Sequence, residues 1–280
     1  PVHEVSGNAE LAEGNIDFRG DIVIHGNVES GVSIRATGSI TIDGVAEACM
    51  LEAGKDIILR GGMLGGNKAS VKTKGAITAK FFEFTNILCE GDLQADVLMD
   101  CSVICHGQIR LTGRKGSIIG GKVQAIRGLI ATSLGNDAEK RTEIFVGAGI
   151  DVYSRLRVME KKIETTREEL TKIEEGLEKF EILSKERGLS YTNDPRRTSL
   201  LRIKIKDSAM LASDEEEVRK LRILAESSRG ACVSVIQEIY PGVIINMDEL
   251  KLALKNMATG VEFYKLPDKI GTRPCSAGVE

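Results

Sequence analysis

Residues 14–46 read GNIDFR GDIVIH GNVESG VSIRAT GSITID GVA when they are divided into blocks of six. Glycine opens every block except the fourth. The third position of each block carries an aliphatic residue or alanine: Ile16, Ile22, Val28, Ile34, Ile40 and Ala46. A helix would instead repeat its apolar residues at spacings of three and four. A period of six indicates short strands joined by tight corners, where glycine lets the backbone bend without steric cost.

Three such blocks make one coil of a triangular solenoid, in which each coil stacks its aliphatic side chains on the coil below. Later coils keep the pattern with more variable lengths. Aliphatic strand starts recur at gaps of 18, 17, 20, 16 and 16 residues: Ile22, Ile40, Ile57, Ile77, Leu93 and Ile109. The longest gap contains GGMLGGN at residues 61–67, which predicts a loop bulging from one corner. The chain is therefore predicted to begin as a single-stranded β-helix.

From residue 156 the apolar period becomes seven. Two rows of positions, three residues apart, form the a and d seam of a coiled coil: Leu156, Ile163, Leu170 and Leu177, then Met159, Thr166, Ile173 and Phe180. Gly188 is expected to end this helix, and Asp194 and Pro195 to start a second one as its N-cap and first helical residue. The pattern predicts an antiparallel helical hairpin, with a parallel dimeric coiled coil as the weaker alternative.

The returning helix has a less regular apolar face. Its predicted buried residues are Leu200, Leu211, Val218, Leu221 and Ala225. Three charged residues, Lys204, Asp207 and Asp214, lie at or near heptad positions. Strand patterns return at residues 231–239, 243–247 and 261–264, and residues from 271 onward are expected to be frayed.

These patterns predict a mainly β protein with an α insertion, divided into three parts. Residues 1–152 are expected to form the solenoid and residues 153–229 a protruding antiparallel coiled-coil hairpin. Residues 230–280 are expected to contain C-terminal strands that pack back on the β-helix, followed by the frayed tail.

Composition favours a cytoplasmic protein. Of 280 residues, 42% are hydrophobic and 28% charged, with a net charge of −3, which fits one or two domains. No apolar run is long enough to span a bilayer, and near-neutral charge argues against nucleic acid as a partner. No signal peptide is recognisable, so the six cysteines are expected to be reduced thiols. Because the chain starts at Pro1 rather than at methionine, it is interpreted as a possible fragment or processed form.

Two local patterns resemble ligand sites. Residues 116–122 read GSIIGGK, which has the spacing of a phosphate-binding P-loop, but Val123 replaces the required Ser or Thr and no helix is expected to follow. A corner of the solenoid is the preferred interpretation. The second pattern is a set of possible metal ligands: Cys89, Cys101, Cys105 and His106.

A metal site at these cysteines is not favoured. Cys105 and His106 are neighbours in a predicted strand and point to opposite faces, whereas tetrahedral zinc needs ligands that converge. Cys89 and Cys105 are each followed two residues later by glycine, so they are expected to stack on adjacent coils. The prediction is a ladder of buried thiols, with no metal and no cofactor.

Catalysis is also not favoured. His25 and His106 each precede a glycine at a corner, and a hexapeptide-repeat acyltransferase would use a histidine as general base. The period of six breaks after Ala46, which weakens that alternative. A carbohydrate-cleaving β-helix would need aromatic side chains to stack on sugars, and this chain has no Trp and only 4% aromatic residues.

Several segments, taken in order, resemble a bacterial family, the flagellar assembly protein A family. They are residues 14–18 (GNIDF), 57–62 (IILRGG), 79–81 (AKF), 118–121 (IIGG), 134–136 (LGN) and 240–243 (YPGV), together with the charged hairpin. The resemblance covers residues 7 to about 263. The solenoid is also similar to bactofilins and to the β-helical domain of the division inhibitor MinC, which keeps self-association open.

The resemblance implies a right-handed β-helix interrupted by a coiled-coil hairpin, in a cytoplasmic protein without known catalysis. It also implies a further N-terminal domain in most relatives and a role in assembling or placing flagella at the cell pole. We therefore predict a non-enzymatic scaffold that acts through protein contacts, including a possible homodimer. An acyltransferase using His25 or His106 and a bactofilin-like cytoskeletal element are the alternatives.

Two contact regions are predicted. One is the turn of the hairpin, where Leu189 and Tyr191 would be exposed apolar anchors; a simple loop that happens to contain them is the other interpretation. The second region is an open face or end of the solenoid, which would support the dimer.

Overall fold

A computed structural model of the chain describes residues 1–113, 115–188, 190 and 194–276. These residues divide into two compact units. The first unit comprises Pro1–Gly149 and Ser227–Glu280 and is a β-solenoid of about 8 turns. The second unit, Ile150–Glu226, is helical.

Most of the chain before the helices is in short strands. They are β1 Val2–Val5, β2 Ile16–Phe18, β3 Asp21–Ile24, β4 Ser33–Ala36, β5 Ile40–Ile42, β6 Ala46–Glu47, β7 Met50–Ala53, β8 Ile57–Leu59, β9 Met63–Thr73, β10 Ile77–Ala79, β11 Phe81–Cys89, β12 Leu93–Gln94, β13 Val97–Met99, β14 Ser102–Cys105, β15 Ile109–Leu111, β16 Ser117–Ile119, β17 Gly121–Ala125, β18 Leu129–Leu134 and β19 Thr142–Val146. A 3₁₀ turn spans Leu11–Glu13. The helices are α1 Gly149–Arg187 and α2 Pro195–Ser227. The remaining strands are β20 Cys232–Ile239, β21 Val243–Met247, β22 Leu250–Ala253, β23 Ala258–Lys265 and β24 Ile270–Pro274.

Three columns of inward-facing side chains fill the solenoid, one for each side of the triangle. The predicted strand starts form the first column in parallel register: Ile22, Ile40, Ile57, Ile77, Leu93 and Ile109, continued by Leu129 and Val233. All eight side chains are fully buried. Ile16 and Ile34 belong to the second column and Val28 and Ala46 to the third. The period of six therefore corresponds to three sides, and the β-helix prediction is confirmed.

Two of the corner glycines, Gly44 and Gly61, have a different role from the one expected, whereas Gly14 has a positive φ of 91°. Gly44 and Gly61 do not have positive φ angles, so the sharp bend does not require them. They lie directly on the preceding coil instead. A Cβ atom added to Gly61 would lie 2.1 Å from the carbonyl oxygen of Gly44, and one added to Gly44 would lie 2.3 Å from the Asn27 Oδ1 atom. The close spacing of coils excludes a side chain at these positions.

The prediction that residues 61–67 form a loop is wrong for the residues from Met63 onward. β9 runs continuously through Met63–Thr73 and contains a bulge instead. Leu64 pairs with Glu83 and Ala69 with Thr85, so five steps along β9 match two steps along β11. These extra residues explain the gap of 20 between Ile57 and Ile77.

The C-terminal strands continue the solenoid and then reverse direction. β20 and β21 pair in parallel with β18 and β19 as the last coil. β22 and β23 then pair with them antiparallel, and β24 pairs antiparallel with β23. The prediction that residues from 271 onward are frayed is wrong for β24. Pro274 ends this edge strand, where a missing backbone N–H group is tolerated.

Helices α1 and α2 form an antiparallel pair. Charged side chains bridge them, from a pair near the start of α1 and the end of α2 to a pair farther along α1 and nearer the start of α2: Glu160–Arg222, Lys162–Asp214, Arg167–Glu215 and Glu174–Lys204. The helix ends match their sequence signals. Gly188 follows α1 with a φ of 61°, and the Asp194 side chain accepts a hydrogen bond of 2.8 Å from the Arg196 amide at the start of α2.

All eight predicted seam positions of α1 are buried or half-buried, and Ile163 and Thr166 are the most enclosed. The seam of α2 is more regular than predicted, since it includes a series of buried or half-buried residues at steps of three and four: Leu200, Lys204, Asp207, Leu211, Asp214, Val218, Leu221 and Ala225. Leu201, Glu215 and Leu224 beside this series are half-buried as well. Ion pairs with α1 stabilise charged residues at this seam. Asp214 is buried and lies 2.7 Å from the Lys162 Nζ atom, and Lys204 pairs with Glu174 at the same distance.

No helix among the described residues is long and apolar enough to cross a membrane.

Candidate protein-interaction site

One side of the solenoid presents a column of exposed side chains that changes character along its length. On strands β2, β4, β7 and β9 the outward residues in register are Asp17, Arg35, Glu52 and Lys72. Successive oppositely charged groups lie 3.8, 3.0 and 3.8 Å apart. We call these four residues the charge ladder. Exposed pairs of this kind add little stability each, but they keep this half of the face polar.

The same column becomes apolar in the next coils. Leu88 pairs with Lys72 across the strands, and Ile104 pairs with Leu88. The Ile104 side chain is 44% exposed. Gln124 follows Ile104 in register and Phe145 follows Gln124, so one polar residue separates the two apolar ones. The Lys122 ammonium group lies 4.6 Å from the centre of the Phe145 ring, a cation–π contact. We call Leu88, Ile104 and Phe145 the apolar strip. Exposed apolar surface rimmed by polar groups marks candidate protein-interaction sites.

A groove of about 380 Å³ lies beside the apolar strip. Phe84 is its main apolar side chain, 38% exposed and held in a left-handed conformation with a φ of 47°. Such a conformation is unfavourable for a bulky residue and persists only where the surrounding structure imposes it. The coils on either side impose it here, because Asn67 and Asp100 have φ angles of 61° and 50° at the same corner. An aromatic ring is thereby fixed at the surface.

The rest of the groove is polar and carries both charges. Its lining includes Asn86, Ser102, Lys122, Arg141 and Glu143. The Arg141 Nε atom lies 2.7 Å from Glu143, so this arginine is oriented by a neighbour two residues away. A fixed apolar ring surrounded by amide, hydroxyl and charged groups is suited to gripping a segment of another protein, since aromatic residues are enriched at the centres of protein interfaces.

The residues predicted as contacts at the hairpin turn, Leu189 and Tyr191, lie outside the described residues. The prediction of protein contacts there therefore stays a prediction. The sequence analysis predicted a contact region on an open solenoid face. It did not identify the residues of the groove or of the apolar strip. The sixteen-residue step from Leu88 to Ile104, each directly before a buried cysteine, was the available signal.

His25 and His106, the alternative general bases of the acyltransferase hypothesis, lie on different sides of the solenoid. His25 follows β3 and His106 follows β14, and these strands belong to different sides of the solenoid. His25 is instead part of a corner charge cluster, with its Nδ1 atom 2.9 Å from Asp43, which also pairs with Arg60. Residues 116–122 form β16, a corner at Gly120 and the start of β17, as expected for a solenoid corner rather than a P-loop.

The predicted cysteine stack is present. Cys89 and Cys105 are partners on adjacent strands β11 and β14, and both are free thiols. The hydrogen bond between them lowers the pKa of Cys89 and raises the pKa of Cys105, which burial raises further. Burial also raises the pKa of Cys49 to about 12 and that of Cys101 to about 11. Within the described part of the chain, no group of three or more candidate ligands could hold a metal ion.

Thiol reactivity tests this packing. Four cysteines are buried (Cys49, Cys89, Cys101 and Cys105) and two are half-buried (Cys232 and Cys275). Because the thiolate is the reactive form and must be accessible, no more than two of the six thiols should react promptly with Ellman's reagent in the native protein at pH 8. All six should react after unfolding in guanidinium. Prompt reaction of more than two native thiols would contradict the buried arrangement.

Comparison with known protein families gave one clear result. A family model described as the Flagellar Assembly Protein A (FapA) beta solenoid domain matches residues 1–270. No curated protein and no solved structure matches the chain. The family match confirms the resemblance seen in the sequence segments, whereas the similarity to bactofilins and MinC stays a prediction.

Proposed function

This chain belongs to the Flagellar Assembly Protein A beta solenoid family, and from that membership we propose that it is a non-enzymatic cytoplasmic scaffold in flagellar assembly or placement. It acts by holding other proteins against a rigid β-solenoid. The family match carries this proposal, because the family's description names the process and a solenoid. The groove at Phe84 and the adjoining apolar strip support the mode of action.

The groove and strip are the preferred site for a protein partner. Phe84 and Ile104 are exposed apolar side chains on a backbone that stacked coils keep fixed, so little ordering entropy is lost when a partner binds. The polar rim supplies hydrogen-bond donors and acceptors for specificity. The hairpin turn with Leu189 and Tyr191 is the second proposed contact region.

A genetic experiment tests the role and the site together. The gene is deleted in the bacterium that encodes it, and flagellar number and position are scored by electron microscopy. We expect fewer or misplaced flagella, restored by the wild-type gene but not by the double variant F84S/I104S. The variant M50S is the matched control, because Met50 is an exposed apolar residue on the same face outside the groove and strip. Immunoblots establish equal protein levels.

Each result has a separate meaning. Normal flagella in the deletion strain would refute the flagellar role. A deletion defect that F84S/I104S repairs as well as M50S does would refute the groove and strip as the contact site. The variant L189S/Y191S, scored in the same strain, tests the hairpin turn in the same way.

A further inference from the structure

The helical hairpin has two sides, which its heptad positions define. With the seam residues of α1 at a and d, and Leu211 of α2 at a, the e positions of both helices flank the seam on one side and the g positions flank it on the other. Two ion pairs agree with this assignment. Arg167 and Glu215 are both e residues, and Arg155 and Glu217 are both g residues. We call the side of the g positions the g side.

The g side changes from charged to apolar along the hairpin. Near the start of α1 and the end of α2, ion pairs cross it: Arg155–Glu217 and Lys162–Asp214. Farther along α1 and nearer the start of α2, four of its g positions carry no charge: Gly176, Leu183, Ile203 and Met210. We call these four residues the floor. Ile203 is 42% exposed and Met210 is 39% exposed, so this part of the g side offers apolar surface to another molecule.

Gly176 leaves a gap in the floor. A glycine inside a helix lowers helix stability relative to alanine, and the hairpin itself does not require one here. The φ angle of Gly176 is not positive, and an added Cβ atom would lie 3.4 Å from the Leu200 Cδ1 atom, an ordinary contact. Ile203 follows Leu200 by three residues, so it lies beside the gap. The missing side chain leaves space in which another backbone can approach closely.

Cations line both edges of the floor. The c positions lie next to the g positions on the outer surface of each helix. They carry Lys172 and Lys179 on α1 and Lys206 on α2, and Arg196 occupies a g position at the end of the floor. From residue 172 to 183 and from residue 196 to 210, the c and g positions include no anion. All four cations are exposed, and none forms an ion pair with a residue that the structure describes.

The opposite side of the hairpin carries the opposite charge over the same stretch of α1. Its e and b positions include Glu174, Glu178 and Glu181. Glu174 pairs with Lys204, whereas Glu178 and Glu181 have no ion-pair partner in the part of the chain that the structure describes. A ligand rich in carboxylates is therefore attracted to the g side and repelled from the other side.

We propose that the g side binds an acidic amphipathic helix of another protein, which packs on the floor as the third helix of a bundle. Such a helix has one apolar stripe between two rows of carboxylates. Its stripe would contact Ile203 and Met210, and its carboxylates would reach Lys179 on one edge and Lys206 on the other. The gap at Gly176 admits one of its apolar side chains.

This inference goes beyond the proposed function and does not depend on it. The floor belongs to the helical unit and the groove at Phe84 belongs to the solenoid unit, so each site can be tested with the other intact.

A synthetic helix serves as the probe. It is a fluorescein-labelled peptide of about three heptads, with leucine at a and d and glutamate at e and g. A second peptide has lysine in place of every glutamate. Fluorescence anisotropy with the full chain at low ionic strength should show binding of the acidic peptide, which weakens as salt is added. The lysine peptide should bind at least about tenfold more weakly.

Two exposed isoleucines of α2 provide the matched variants. I203S/M210S should raise the dissociation constant of the acidic peptide at least about tenfold, because it removes the exposed apolar side chains of the floor. I205S should leave it unchanged, because Ile205 is 71% exposed but occupies a b position on the other side of α2. Circular dichroism verifies that both variants keep their helices.

A charge reversal gives a result that unfolding cannot imitate. K172E/K206E should bind the lysine peptide more tightly than the acidic one, since both edges of the floor then carry carboxylates. Equal affinity of the wild-type chain for the two peptides, an equal effect of I205S and I203S/M210S, or an unchanged preference in K172E/K206E would each overturn the proposal.

Two other occupants are tested with the same variants. Sedimentation equilibrium detects a second copy of the chain, and flotation with phosphatidylglycerol vesicles detects an anionic membrane. If the acidic peptide does not bind, and I203S/M210S instead abolishes self-association or vesicle binding, the floor belongs to that occupant and the proposal is wrong.

Discussion

Replacing Ile57 with alanine should lower the free energy of unfolding by about 2–5 kcal/mol, as large-to-small changes in close-packed cores do. Ile57 is completely buried in the first column, between Ile40 of the coil below and Ile77 of the coil above. A solenoid cannot collapse easily around the cavity, because the register of the strands fixes both neighbours. Urea unfolding monitored by circular dichroism measures the loss.

The adjacent residue is the matched control. Ile58 lies on the same strand but points outward and is 37% exposed. Ile58→Ala should therefore cost less than about 1 kcal/mol, because little apolar surface is returned to water. Equal losses from the two changes would mean that the alternation of inward and outward residues along β8 is wrong.

Replacing Gly61 with alanine should also destabilise the solenoid strongly, by about 1–3 kcal/mol or more, because overpacking forces atoms apart. The added Cβ atom would meet backbone atoms of Gly44 and Val45, which cannot rotate away as a side chain would. The lost stability should appear in the urea midpoint, with circular dichroism as the readout.

Gly7 provides the comparison for this change. It belongs to the same column of glycines. The Gly26 amide donates a hydrogen bond to the Gly7 carbonyl, and the Gly44 amide donates one to the Gly26 carbonyl. An added Cβ atom at Gly7 has no atom within 4 Å among the described residues. Gly7→Ala should be neutral or slightly stabilising, because alanine reduces the entropy of the unfolded chain. A Gly61→Ala protein as stable as Gly7→Ala would refute the stacking explanation.

The solenoid could be predicted because every coil repeats the same packing requirement. A coil of eighteen residues and three sides requires an inward residue every six, and Ile16, Ile22 and Val28 show that period directly. The reason for the glycines was not predictable from one chain. Period alone does not distinguish a glycine that bends the backbone from one that leaves room for the next coil, such as Gly44.

The hairpin was predictable at its seam and at its ends. Lys204, Asp207 and Asp214 made the second seam look irregular, because a heptad pattern read from apolar residues alone counts charges as breaks. Lys162 and Glu174 on the other helix pair with Asp214 and Lys204, and only the three-dimensional register reveals those partners.

The candidate sites were the least predictable part. Phe84 reaches the surface because its backbone is left-handed at a corner of the solenoid. No sequence pattern indicates that a phenylalanine will adopt this conformation. The strand β24 was also missed, since Gly271 and Pro274 are typical of irregular segments. Pro274 fits only because it ends an edge strand.

Distances between spin labels measured by pulsed electron paramagnetic resonance test the stacked-coil arrangement most directly. In a background lacking Cys232 and Cys275, labels are placed on the outward positions Thr41, Arg110 and Ile130, which lie on one side of the solenoid. Thr41 and Arg110 are four coils apart and Thr41 and Ile130 five, so the distances should be about 19 Å and 24 Å at 4.8 Å per coil. If the distance does not increase by about one strand spacing from the Thr41–Arg110 pair to the Thr41–Ile130 pair, the stacked-coil solenoid is contradicted.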